Sequence, residues 1–161
     1  MKTIKGDLLK LADEGKFDII VHGCNCFHAM GSGIALAIRN KYPQAFEEDC
    51  KTSKGNAAKL GTVSCAVGVA KSRKQFIIVN AYTQFHTATY PGQDVFEYDA
   101  FQRLLDMWAG ADSPIAKVHL GFPMIGMGLA GGDSKRILSM IRKFDKTIRS
   151  RGGSVTMVEF G

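Results

Sequence analysis

Apolar positions along the chain gather in short blocks of two kinds, and the two kinds alternate. "KTIKG" (Lys2 to Gly6) reads as a strand and "DLLKLADEG" as a short helix begun by Asp7. "FDIIV" (Phe17 to Val21) is an unbroken apolar run of the sort that both faces of a sheet bury. A helix starts near Gly33, passes through "IALAIRNKY" and stops before Pro43, because the residue ahead of a proline is pushed out of the helical region. A second helix is predicted over "AFEEDCKTS", then strands near "TVSCAVGVA" and "QFIIVNAYT". In "DAFQRLLDMWAG", Phe101, Leu104, Leu105 and Trp108 recur at helical spacing, which assigns these aromatics to a core. "AKVHLGFP" reads as a strand, "DSKRILSMIRKFDKTI" as a helix and "SVTMVEF" as a closing strand. Such alternation is the mark of an α/β layer fold, and a three-layer α/β/α arrangement around a mixed central sheet is expected.

No internal repeat, low-complexity stretch or linker divides the chain, so residues 1–161 are expected to form one domain. A hydrophobic content of 45% is enough for a core. The formal charge of +6, spread along the chain, favours an anionic partner, whether a phosphorylated small molecule or a nucleic acid. No apolar run reaches the roughly 18 residues of a membrane span, and Met1 leads straight into a strand-like segment, so a soluble cytoplasmic protein is expected. Cys24, Cys26, Cys50 and Cys65 are irregularly spaced, as reduced thiols are. The longest irregular piece, Gln84 to Tyr98, follows a buried strand and is expected to be a site rim.

Candidate chemistry centres on "DIIVHGCNCFHAMGSGIALAIRNKYP", which puts His22, Cys24, Cys26 and His28 at every second position. A zinc site would need all four to converge at about 2.0 to 2.3 Å. Extended, His22 and His28 would stand about 20 Å apart at roughly 3.3 Å per residue. No second CxxC or HxxxH exists, so neither metal nor cofactor is expected. A nucleophilic cysteine wants a base and an electropositive pocket, and neither is evident. Ser32 lacks the GxSxG elbow, and no GxxxxGK[ST] is present. What the segment does supply is a strand, a turn through Gly23, Gly31 and Gly33, and a helix N-terminus, an arrangement that suits phosphate. "VHLGFPMIGMGLAGGDSKRIL" repeats it through Gly126, Gly128, Gly131 and Gly132, with Asp133 or Ser134 as the next helix N-cap. Two such loops at one sheet edge would face each other across a cleft and hold a diphosphate. "GMGLAG" also fits the dinucleotide fingerprint GxGxxG, but only one helix and one strand follow it, and Glu159 is the sole acidic residue on that strand.

"KGDLL", "VHGCNCFHAMGSGIA" and "PMIGMGLAGGD", in that order, resemble the three signature segments of the macro domain, an ADP-ribose-binding module, and the strand–helix plan agrees over nearly the whole chain. The resemblance implies the macro-domain fold and several ligand contacts. Asp7 would bind the adenine amino group, with Leu8 offering its backbone, and Asn25 would contact the distal ribose. Gly31, Ser32, Gly33 and Ile34 would wrap the distal ribose and phosphates, while Gly126, Met127, Gly128, Leu129 and Ala130 would close over the diphosphate. Phe160 would stack on adenine. The chain also departs from the family's hydrolases. Those resembling "NAANxxLxGGGGVD" carry a catalytic Asp where this chain has Ala35. A second type uses a Lys and an Asp where Gln84 and Ala130 stand here, and the paired glutamates of poly-ADP-ribose glycohydrolases are missing. The "HGCN" start and the "GxGIA" loop resemble the ADP-ribose-1''-phosphate phosphatase branch instead.

On that resemblance the catalytic candidates are His22, Asn25, His86 and Asp133, with Gln84 as a further one; a phosphatase must orient water and stabilise charge with placed donors. Each has a plainer role. His22 equally reads as a satisfied histidine at a strand end, Asp133 as a helix N-cap, and Gln84 and His86 as rim residues. Asn25 stands out because its loop has little evident structural use for an amide. Three functions follow: a phosphatase acting on ADP-ribose-1''-phosphate, a de-ADP-ribosylating hydrolase, and a non-catalytic ADP-ribose reader. Nucleic-acid binding rests only on the charge and lacks an RRM, KH or HTH pattern. A monomer binding ADP-ribose or its 1''-phosphate, away from membranes, is expected.

Overall fold

Successive side chains of a strand leave opposite faces, and here each face of the sheet meets its own layer of helices. The computed structural model describes residues 1–113 and 117–161. In chain order it holds β1 (Lys2–Gly6), α1 (Leu8–Asp13), β2 (Ile19–Cys24), α2 (Gly33–Lys41) and α3 (Pro43–Cys50). A 3₁₀ turn (Ala57–Lys59), β3 (Val63–Val69), β4 (Gln75–Tyr82), α4 (Tyr98–Ala109), β5 (His119–Pro123), α5 (Ser134–Ser150) and β6 (Ser154–Phe160) follow. The six strands form one sheet in the order β1-β6-β5-β2-β4-β3. Only β3 runs antiparallel to its neighbour, so the sheet is mixed and the architecture is α/β/α. Ile20, Ile78 and Val158 pack with Leu8, Leu9 and Ala12 of α1, Ile38 of α2 and Ala45 of α3. Their neighbours Val21, Val79 and Met157 point the other way, onto Leu104, Leu105 and Trp108 of α4 and Ile137, Ile141 and Phe144 of α5.

Differences from the sequence reading have local causes. β2 begins at Ile19 and runs on to Cys24, because β4 pairs with it residue by residue from Ile19↔Ile77 to Cys24↔Tyr82. Phe17 lies ahead of the strand, and its ring fills the space over Gly121, where a Cβ would come within 2.7 Å of it. α3 starts at Pro43, whose missing N–H costs nothing in a first turn, and it ends at Cys50. Of the strand read at "AKVHLGFP", Ala116 lies outside the described residues and the strand itself spans His119–Pro123. All four cysteines are free. No helix among the described residues is long and apolar enough to cross a membrane.

Because β1, β6, β5, β2 and β4 are parallel, their carboxyl ends share one edge of the sheet. The first glycine loop leaves β2 and the second leaves β5, and those strands are neighbours. The fold therefore brings together two loops separated by about a hundred residues of chain, at the edge where parallel sheets place their ligands.

Candidate functional site

Between the two glycine loops lies a cavity of about 740 Å³. Gly23, Cys24 and Asn25 line it from the end of β2, residues 32–35 from the start of α2, and residues 123–126 and 128–130 from the loop after β5. Ala29 of the first loop, with Gln84 and residues 87–92 from the long segment after β4, completes it, so that segment is the rim its length suggested. Cys24 and Tyr90 are the only ionisable side chains among the lining residues; none is Asp, Glu, Lys, Arg or His. Gly33 opens α2 with φ +56, a left-handed conformation in which a side chain would be strained. An anion here would meet backbone N–H groups, hydroxyls and the positive end of α2.

Each loop has its own supports. In the first, Asn25 Oδ1 accepts from Phe27 N at 2.9 Å and Ala29 N at 3.4 Å, and its Nδ2 donates to Ala29 O at 2.9 Å. The amide thus closes the turn while also lining the cavity, so the loop does have a structural use for it. In the second, Gly131 stands at φ +69 with a Cβ position that would run into the Gln93 carbonyl. There the rim segment docks, through Val95 N to Ala130 O at 2.9 Å. Tyr98 clamps the same junction, donating to Asp94 Oδ2 at 2.6 Å and accepting from Asp133 N at 2.8 Å.

The four catalytic candidates do not converge. His22 sits two residues inside β2, 0% exposed, and does not line the cavity. Its Nε2 lies 2.6 Å from Asn80 Oδ1. Asn80 donates its own NH₂ to Ala45 O and Ser64 Oγ, so its oxygen must accept and the proton sits on Nε2. Burial pushes His22 down to about 4 against the opposing pull of Asn80 and Asp49, which leaves the ring neutral. Cys24 Sγ is 3.6 Å and 3.8 Å from the two ring nitrogens. With the proton on Nε2, only Nδ1 keeps a lone pair to face the thiol, at the longer of the two distances, and burial pushes that thiol well up. No thiolate nucleophile is prepared there. His86 is exposed, its Nδ1 2.7 Å from Thr87 O, outside the lining. Asp133 caps α5, accepting from Lys135 N at 3.0 Å and Arg136 N at 3.3 Å. Of the four, Asn25 alone lines the cavity.

Among the ligand-binding candidates, Ser32, Gly33, Ile34, Gly126, Gly128, Leu129 and Ala130 line the same cavity as Asn25. Gly31 is exposed outside the lining, and Met127 turns back onto the core. Asp7 and Phe160 share a second, shallower cleft of about 520 Å³ with Lys10, Leu11 and Glu14. Asp7 Oδ1 caps α1 through Leu9 N and Lys10 N, and the Phe160 ring is 84% exposed. Leu8 is buried in the core, outside the cleft lining. Among the described residues no group of three or more His, Cys, Asp or Glu could hold a metal ion. Sequence reasoning missed Cys24, Ala29 and Tyr90 as lining residues; the rim's length signalled Tyr90 only as part of a segment.

Comparison with known proteins narrows the family. A family model for the macro domain matches residues 21–141. The chain is 37% identical over 135 residues to an uncharacterised 17.5 kDa protein of Enterobacteria phage T4, covering 83% of this chain and 82% of that one. A segment of 46 residues is 41% identical to an ADP-ribose 1''-phosphate phosphatase of Aspergillus oryzae, covering 29% of this chain and 21% of the fungal protein. A Trypanosoma brucei macrodomain solved in complex with ADP-ribose superposes with a TM-score of 0.61 at 16% identity, over 98% of this chain and 62% of that one.

Proposed function

The chain belongs to the macro-domain family, and from that membership we propose that it binds ADP-ribose along the carboxyl edge of its sheet. Adenine enters the cleft of Asp7 and Phe160, and the diphosphate and distal ribose enter the cavity between the glycine loops. The observation that carries this reading is the wall of that cavity, built by two facing backbone loops and a helix N-terminus with no carboxylate among its lining residues. A polyanion is repelled by none of these groups and is met by dipoles already oriented. Asp7 keeps one oxygen, Oδ2, without a hydrogen bond among the described residues, and an exposed aromatic ring stands in the same cleft. The same reading takes residues 1–161 as one cytoplasmic macro domain, monomeric, with a small-molecule ligand and no need of nucleic acid or cofactor.

Titration calorimetry with ADP-ribose, AMP and ribose-5-phosphate tests it. ADP-ribose should bind more tightly than either fragment. Asp7→Ala should weaken ADP-ribose at least about tenfold, as the loss of a charge-assisted hydrogen bond of about 1.5 to 3 kcal/mol requires, and leave ribose-5-phosphate unchanged. Equal ADP-ribose affinity in the variant removes Asp7 from the site.

A second reading, hydrolysis of ADP-ribose-1''-phosphate to ADP-ribose and phosphate, draws on the partial likeness to the fungal phosphatase. Water would attack phosphorus as the bond to the ribose oxygen breaks. Neither His22 nor Asp133 lines the cavity, so the charge on the phosphoryl oxygens would fall to backbone donors and to the hydroxyls of Ser32, Thr87 and Thr89. Phosphate release above buffer supports this reading. Tight ADP-ribose binding without release leaves a reader. De-ADP-ribosylation is the less favoured third reading, since Ala35, Gln84 and Ala130 hold the positions where family hydrolases carry their reactive groups.

A further inference from the structure

Behind the first glycine loop, outside the lining of the cavity, lies a buried charged cluster that the ligand reading does not use. Lys59, at the end of the 3₁₀ turn, is only 7% exposed. Its Nζ lies 4.4 Å from the centre of the Tyr82 ring and donates to Cys26 O at 3.4 Å. Asp49, on α3, is 1% exposed and accepts from the Tyr82 hydroxyl at 2.6 Å, while its second oxygen has no hydrogen-bond partner among the described residues. Lysine and aspartate thus grip one tyrosine, the first by its face and the second by its hydroxyl. Burying either charge alone would be strongly unfavourable.

We infer that Lys59 is a positioning residue for the ligand: its buried ammonium, balanced by Asp49 through Tyr82, holds the Cys26 carbonyl and so sets the shape of the loop that carries Asn25. The Cys26 oxygen also accepts from Gly55 N at 2.7 Å, and Cys26 N donates to Phe85 O at 2.9 Å. Both peptide groups of Cys26 are therefore fixed, one from the segment after α3 and one from the segment after β4. Two residues on, His28 adopts a left-handed φ of +58, and its Nε2 lies 2.8 Å from Thr52 O, a second fastening to the segment after α3. The direction of the Cys26 carbonyl matters chemically. Its oxygen is the negative end of a dipole, and here it faces the ammonium, while Cys26 stays out of the lining of a cavity suited to phosphates. The field of the cluster reaches the loop: Asp49 pushes the Cys24 and Cys26 thiols up and Lys59 draws them down, both on top of the larger effect of burial.

The inference takes the ADP-ribose reading as its premise for the ligand, and its test separates the two. Lys59→Met keeps the apolar stem and removes the charge. It should weaken ADP-ribose about tenfold and leave AMP, which needs mainly the cleft of Asp7 and Phe160, within about twofold. Lys59→Arg should recover most of the affinity. The double variant Lys59→Met with Asp49→Asn relieves the uncompensated carboxylate, so it should regain melting temperature without regaining ADP-ribose affinity. In ligand-free protein, amide exchange at residues 25–29 should quicken about tenfold in both Met variants. Unchanged ADP-ribose affinity in Lys59→Met, an equal loss for AMP, or recovery of affinity together with stability in the double variant would each overturn the inference. Should the wild type fail to bind ADP-ribose, the ligand reading falls, and exchange at residues 25–29 decides the positioning claim by itself. Should Lys59→Met fail to fold, the double variant carries the same readouts.

Discussion

The loop after β2 is tied to segments far along the chain, through Lys59 Nζ, Gly55 N and its own His28 ring, whereas the loop after β5 is fastened by backbone groups at places where only glycine fits. Cys26 O is held from residues 55 and 59, and His28 from residue 52. By contrast, Gly132 N donates to Gly126 O at 2.7 Å, and a Cβ on Gly132 would lie 2.6 Å from that same oxygen. One design ties a turn to distant segments by hydrogen bonds, and the other packs a turn so closely that side chains are excluded. A cradle of the first kind fails when a partner is lost, and one of the second kind when an atom is added.

The largest expected effect is therefore an addition to the second loop. Gly131→Val would set a branched side chain at φ +69 against the Gln93 carbonyl, undocking the rim and removing measurable ADP-ribose binding. Gly128 offers the control, since a Cβ there meets nothing within 4 Å. Gly128→Ala should stay within about threefold of wild type, the small range usual where no contact is changed. Similar losses in the two variants would erase the distinction between the loops.

An acid titration should single out the strand that feeds the first loop. His22 is held at about 4 when folded, below its ordinary value of 6.5, so the unfolded chain takes up the proton first. Its contribution is whole above pH 6.5 and declines as pH falls toward 4. At about 1.4 kcal/mol per pH unit, the loss reaches about 3 kcal/mol, with about 2 kcal/mol of it gone by pH 5, before most carboxylates titrate. Urea melts between pH 7.5 and 5 measure this. A profile as steep in His22→Gln as in wild type would assign the effect elsewhere.

The smallest effect belongs to the clamp between the rim and the second loop. Tyr98→Phe removes the bonds to Asp94 and Asp133, a loss of about 1 kcal/mol. Faster amide exchange at residues 93–96, with residues 25–29 unaltered, would show that the two loops are supported separately.

The same contrast accounts for what could be read from the sequence. The apolar run "IIV" and the periodic aromatics of α4 announced a sheet with both faces covered, because burial on two sides leaves a continuous signature. The glycine loops were legible for a related reason: backbone geometry demands a residue type at a fixed place. The strand limit at Phe17 leaves no mark in the sequence, because its ring packs on Gly121, more than a hundred residues away. Partnerships such as His22 with Asn80, Asn80 with Ala45 and Lys59 with Cys26 leave no local pattern. Each of these polar residues, read singly, is indistinguishable from a catalytic one, which is why the sequence makes His22 a candidate and gives no sign of the role of Lys59. The structural use of Asn25 is hidden for another reason, since its hydrogen-bond partners are the backbone of its own turn.

The charge-free lining of the cavity has a kinetic consequence. The chain's net charge of +6 acts at a distance and draws an anion from solution, and dissolved salt screens that attraction. Inside the cavity the anion meets oriented dipoles with no side-chain ammonium among them, and their short-ranged field is largely beyond the reach of screening ions. Raising the ionic strength should then slow arrival while leaving the residence time almost unaltered, so that salt sets how often the site fills and the two backbone loops set how long it stays full.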